Sequence, residues 1–93
     1  MQDERDMRVV SRADNLEVNE VPDGYVIYQG GRDRVHYLNK TAAIVFEFCD
    51  GRQDAESIVT RVASAFDLDG SAHPELRAYL DSLVKEGLVV SNT

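Results

Sequence analysis

The residues whose types could do chemistry in this 93-residue chain are one cysteine, two histidines, a glycine pair and 17 carboxylates. Cys49 would be a nucleophile only if a neighbouring base or positive charge lowered its pKa. It closes the stretch Ala42-Ala43-Ile44-Val45-Phe46-Glu47-Phe48-Cys49, the most apolar part of the chain, where a thiol reads as a small buried hydrophobe. His36 and His73 fall on different predicted elements, and neither sits in a His-x-x-x-His or Cys-x-x-Cys spacing that presets zinc geometry. His36 reads as a side chain on a sheet surface and His73 as a helix-start residue. Gly30-Gly31 is not followed by Gly-Lys-Ser/Thr, so it reads as a turn rather than a phosphate-cradling loop. The carboxylates fall mostly on predicted loops and polar helix faces. The expectation is a protein that is not an enzyme, with no cofactor and no metal.

The elements that would position these residues follow from periodicity. Residues 1–13 are polar and without period and read as a flexible N-terminal arm, leaving 14–93 as the folded domain. Leu16-Glu17-Val18-Asn19-Glu20-Val21 alternates as a half-buried strand. Pro22-Asp23-Gly24 is a hairpin signal, and Tyr25-Val26-Ile27-Tyr28-Gln29 is a strand rich in aromatic and β-branched residues. After the turn Gly30-Gly31-Arg32-Asp33, residues Arg34-Val35-His36-Tyr37-Leu38 make the third strand of an antiparallel meander.

The spacing then becomes helical. Asn39 is an N-cap candidate for a central helix over Lys40–Cys49, which Asp50-Gly51 should end with Gly51 in the left-handed region. Asp54 caps a second helix carrying Ile58, Val59, Val62, Ala63 and Phe66, with Glu56 favourably placed in its first turn. A third helix runs from about His73 to Glu86, with Pro74 in its first turn, an apolar face of Leu76, Tyr79, Leu80, Leu83 and Val84, and Gly87 at its end. Leu88-Val89-Val90 is a short extended piece, read as a wing or edge strand. The fold class is α+β and winged helix-turn-helix-like: a three-stranded antiparallel sheet followed by three helices.

Composition limits what such a domain can do. A chain of this size supports one modest core and leaves little room for a deep enclosed active site. Ten basic residues against 17 acidic ones give a net charge of −7. A general phosphate-binding surface needs Lys and Arg in excess, so the balance argues against nucleic acid and against anionic membranes as partners. No apolar run approaches the roughly 18 residues of a membrane span. The charged start Met1-Gln2-Asp3-Glu4-Arg5-Asp6 is not a secretory signal, and a lone cysteine cannot form an internal disulfide; a cytoplasmic location is the expectation.

From Leu38-Asn39-Lys40-Thr41-Ala42 onward the chain resembles the PqqD-like family. A strand ending in Leu-Asn is followed by a small-residue helix start and by Phe48-Cys49-Asp50-Gly51. The likeness continues through Ser57-Ile58-Val59, Phe66 and Tyr79-Leu80-x-x-Leu83-x-x-x-Gly87-Leu88-Val89, over roughly residues 15–90. Asp54 stands where the family often has a Thr cap, a physically equivalent choice, and Ser57 stands where a Glu is frequent. The resemblance implies a precursor-peptide recognition element, or peptide chaperone. Such a protein binds the leader of a ribosomally made peptide as a further strand beside the third strand and against the third helix. It then presents the peptide to a modifying enzyme, often a radical-SAM maturase. The resemblance does not separate pyrroloquinoline quinone synthesis from lasso-peptide or other pathways.

The residues are compatible with that role. An outer strand of a meander exposes unpaired N–H and C=O groups that an extended peptide can pair with. The expected leader-binding residues are Arg34, Val35, His36, Tyr37 and Leu38 on the strand, and Arg77, Leu80, Asp81, Val84 and Lys85 on the third helix. Leu80 and Val84 would floor a groove, Arg77 and Lys85 would pair with leader carboxylates, and Arg34 would guide them. Arg32, Arg34, Lys40, Arg52, Arg77 and Lys85 would together make a locally basic groove if the fold brought them together. Leu38 and Leu83 also fit the core. Two other readings compete: a winged-helix DNA-binding regulator and a general protein–protein adaptor. The third helix carries Arg77 and Lys85 against Glu75, Asp81 and Glu86, which is unfavourable for a helix approaching phosphates. Whether the chain is a monomer or a dimer is open at this level.

Overall fold

A computed structural model describes residues 8–31 and 33–91. Arg32 and the first part of the expected arm, residues 1–7, lie outside the described residues. In chain order the elements are β1 (Val9–Arg12), β2 (Leu16–Val21), β3 (Gly24–Gln29), β4 (Arg34–Asn39), α1 (Lys40–Glu47), β5 (Asp50–Asp54), α2 (Ala55–Ala65), a 3-10 turn (Gly70–Ala72), α3 (His73–Lys85) and β6 (Val89–Ser91). The protein is α+β, with three α-helices and two three-stranded antiparallel sheets among the described residues.

The alternating runs form the first sheet, in the order β2-β3-β4. Ile27 pairs with both Val18 and His36, which places these three on the face toward the helices. The hairpin differs in detail from the sequence expectation. Val21 pairs with Gly24, so Pro22 and Asp23 are the two turn residues and Gly24 belongs to β3. Glycine is required there for close approach: its φ is +148°, and a Cβ would lie 1.9 Å from the Leu38 carbonyl oxygen.

The helix caps form as the residue types dictate. Asn39 Oδ1 accepts from the Ala42 N–H at 2.9 Å, and Asp54 Oδ1 accepts from the Ser57 N–H at 2.8 Å. Gly87 ends the α3 turn with φ +80°. The first helix stops earlier than expected, at Glu47, and the Phe48 N–H closes its last turn on Ile44 and Val45. Gly51 is left-handed (φ +82°), but it sits inside strand β5 rather than at a helix end.

That strand belongs to a second sheet, ordered β5-β1-β6, which the sequence reading did not contain. The flexible-arm expectation for residues 1–13 fails over Val9–Arg12, because β1 is the central strand of this sheet. Val9 and Ser11 pair with Asp54 and Asp50, while Val10, Ser11 and Arg12 pair with Ser91, Val90 and Val89. Val10 is fully buried. Arg12 donates to the Glu47 carbonyl at 2.7 Å and lies 6.0 Å from the Phe46 ring centroid, which fastens β1 to the end of α1. The expected terminal edge strand is β6, one border of this sheet.

One hydrophobic core joins both sheets and all three helices. Ile27, Phe46, Ile58, Leu76, Leu80 and Leu88 are each at most 1% exposed within it. Tyr25 packs edge-on against Phe46 and donates to Glu47 Oε2 at 2.7 Å.

Candidate functional site

Strand β4 is an edge of its sheet, and α3 lies across from it. Between them runs an open groove of about 490 Å³. Val35 through Asn39 form one wall, Tyr79, Ser82, Leu83 and Glu86 the other, and Ala42 and Leu88 contribute to the lining. The strand period divides β4 in two. His36 and Leu38 turn inward, and their side chains are mostly or fully covered. Val35 and Tyr37 face solvent at 64% and 58% exposure.

A tie crosses the groove at each end. At one, Arg34 Nη2 donates to Glu86 Oε1 at 3.2 Å. At the other, Asn39 Nδ2 donates to the Tyr79 hydroxyl at 3.2 Å. Beneath the first tie lies a polar chain. Gln29, only 8% exposed, donates through Nε2 to the Gly87 carbonyl at 3.3 Å and turns its Oε1 toward His36 Nε2 at 3.1 Å. That arrangement assigns the His36 proton to Nε2 and leaves Nδ1 facing Glu86 Oε1 at 3.9 Å. The buried amide is thereby satisfied at both ends, which fixes the imidazole.

The structure brings Val35, His36, Tyr37 and Leu38 to one groove, with Arg34 bonded to its Glu86 wall, but divides the expected helix residues from it. Leu80 is fully buried in the core. Val84 is half-buried and packs against that core. Arg77 reaches the Glu56 carboxylate on α2, and Asp81 accepts from Arg8 Nη2 at 2.7 Å. Lys85 is exposed and does not line the groove. The groove face is instead Tyr79, Ser82 and Leu83 of α3 with its C-cap Glu86, spaced i, i+3, i+4 and i+7. Both flanks of the stripe Leu76-Leu80-Leu83 were open to a reading by period alone. Only the position of β4 decides between them. Tyr79, an aromatic at the border of that stripe, was the available signal for the flank that faces β4.

Among the described residues, which do not include Arg32, the expected basic groove does not assemble either. Among the described residues Arg34 reaches the groove only through its bond to Glu86, which balances its charge. Arg52 lies on β5 in the other sheet, and Lys40 lines a separate shallow hollow with Glu20 and Ile44. Cys49 is completely buried, its Sγ donates to the Val45 carbonyl, and burial pushes its thiol up to about 12. It therefore stays a thiol across physiological pH. No three His, Cys, Asp or Glu side chains among the described residues converge as a metal set, and no helix there is long and apolar enough to cross a membrane. The arrangement can hold an extended chain, by backbone pairing along β4 and by side-chain burial in the groove.

The family described as Coenzyme PQQ synthesis protein D (PqqD) matches residues 24–89, a span holding β3, β4, all three helices and the whole groove. A curated relative from Methylococcus capsulatus, named PqqA binding protein, is 36% identical over 52 residues. The matched stretch is 56% of this chain and 55% of that relative, so the chain spans about half the length of the relative it matches. No solved structure matches the chain.

Proposed function

The chain belongs to the PqqD family, and we propose that it is a non-catalytic peptide chaperone for a ribosomally made precursor peptide. The leader of that peptide adds to β4 as a further antiparallel or parallel strand and lies against α3. The chain then presents the peptide to a modifying enzyme, of which a radical-SAM maturase is the type that the family likeness favours. Such work is done in the cytoplasm, where precursor peptides are made. The relative's name supports the ligand class, since it describes a protein that binds PqqA. One observation carries the reading: an unprotected sheet edge directly beside an apolar groove, with Leu38, Ala42, Leu83 and Leu88 in its lining. Backbone pairing at the edge supplies affinity with little sequence demand, and the groove supplies selection.

A winged-helix regulator is less well supported. Arg77 is already engaged by Glu56, and the described groove face of α3 carries Glu86 but no free cation. The deciding experiment is a titration of isotope-labelled protein with the precursor peptide encoded beside its gene. Amide shifts are expected on residues 34–38 and on Tyr79, Ser82, Leu83 and Glu86. Shifts confined to other elements would reject the site, and absence of any shift would reject the function.

A further inference from the structure

The two edges of the first sheet are guarded very differently. On β2 the side chains facing solvent include Glu17 and Asn19, both exposed, and Glu20 follows on the other face. Charged and polar residues of this kind normally protect an edge from pairing with other chains. On β4 the corresponding solvent-face positions are Val35 and Tyr37. Val35 pairs with Tyr28 and Tyr37 pairs with Val26, so an apolar patch runs across the outer face up to the edge itself. Its aromatic tips are held in place. The Tyr28 hydroxyl donates to Asp33 Oδ1 at 2.8 Å, and the Tyr37 hydroxyl donates to the Asp23 carbonyl at 3.1 Å.

A strand added beside β4 must place successive side chains on opposite faces. One set enters the groove near Leu38, Ala42 and Leu83. The other set lies beside Val35 and Tyr37 as cross-strand neighbours. Resting on the peptide-binding reading, we propose that the ligand carries apolar, β-branched or aromatic side chains in both sets. It is then a contiguous apolar run along Val35–Leu38, not the alternating pattern of an ordinary half-buried strand. The two polar ties, Arg34–Glu86 and Asn39–Tyr79, mark the ends of that run.

Two acetylated and amidated peptides with identical Lys-Ser flanks test this. One has the core Ile-Leu-Val-Leu-Tyr, the other Ser-Leu-Ser-Leu-Ser, so the groove-directed leucines are the same. Affinities are read from amide shifts of labelled full-length protein and of a Val35→Ser/Tyr37→Ser variant, whose altered side chains are exposed in the parent. The contiguous peptide is expected to bind the parent about tenfold tighter, from the extra apolar area covered. On the variant that preference, read as the ratio of the two affinities, should fall to about twofold. Equal affinities for the parent, or an undiminished preference on the variant, would overturn the inference alone. If neither peptide shifts residues 34–38, the groove reading fails and this inference fails with it.

Discussion

Arg34 on the edge strand and Glu86, the C-cap of α3, meet at 3.2 Å across one end of the groove, with side chains 53% and 41% exposed. Ion pairs this accessible are screened by water and salt. The walls of the groove are therefore held apart by the core beneath them, and the tie only marks where the opening ends. Arg34→Ala and Glu86→Ala are each expected to lower the unfolding free energy by no more than about 1 kcal/mol in urea titrations. A loss of several times that amount would show that the pair sets the position of α3.

The two flanks of α3 should separate cleanly in binding. Ser82 is exposed and lines the groove, so Ser82→Trp fills the space a ligand side chain needs while leaving the core intact. It is expected to weaken precursor-peptide binding by at least about tenfold. Lys85→Ala, exposed and outside the groove lining, should change affinity by less than about twofold. Calorimetric titration checks both. Equal effects of the two substitutions would contradict the placement of the groove.

Strand β1 should be indispensable although it precedes the family match. Val10 is fully buried in the centre of β5-β1-β6. Val10→Asp would bury an unpaired charge there and is expected to cost at least about 3 kcal/mol. A fragment spanning only residues 24–89 lacks β1, β2 and most of β6, which leaves β5 without its partner strand. Circular dichroism melts should show no cooperative transition for that fragment. A sharp transition would mean the second sheet is dispensable.

Alkaline pH should weaken the fold through two groups. Burial pushes the Cys49 thiol up to about 12, and the hydrogen bond to Glu47, helped by burial, raises the Tyr25 phenol to about 12. In the unfolded chain the thiol ionises near about 8.5 and the phenol near about 10. Between those values and 12 the folded state keeps protons that the unfolded state releases. Their contribution is thus complete below about pH 8.5 and shrinks as pH rises toward 12. Melting temperature is expected to fall from about pH 8.5 upward, and Cys49→Ala should remove the earlier part of that fall. A profile that stays flat to about pH 11 in the parent protein would contradict the assignment.

Much of the first sheet and of the helices was legible because their signals are local. Alternation marked β2, β3 and β4, and Asn39, Asp54 and Gly87 have side chains or backbone freedom suited to one place on a helix. The second sheet was not legible for the opposite reason. Val9–Arg12, Asp50–Asp54 and Val89–Ser91 are short and weakly periodic, and each becomes a strand only by pairing with segments far away in sequence. Asp50-Gly51 carried a helix-stop signal that is satisfied equally well inside a strand.

The site divides along the same line. Residue order alone determined that the last strand of the meander is an edge, and that its side chains alternate between core and solvent. It also determined that α3 carries an apolar stripe through Leu76, Leu80 and Leu83, while the burial of Leu80 in the core rather than in a groove came from packing. Which flank of α3 meets that edge was a matter for the tertiary structure. A stripe of leucines fixes how deep a helix sits, but its two borders are equivalent until a neighbour occupies one. Packing put β4 beside Tyr79, Ser82, Leu83 and Glu86, and turned Arg77 and Asp81 to partners on α2 and at Arg8.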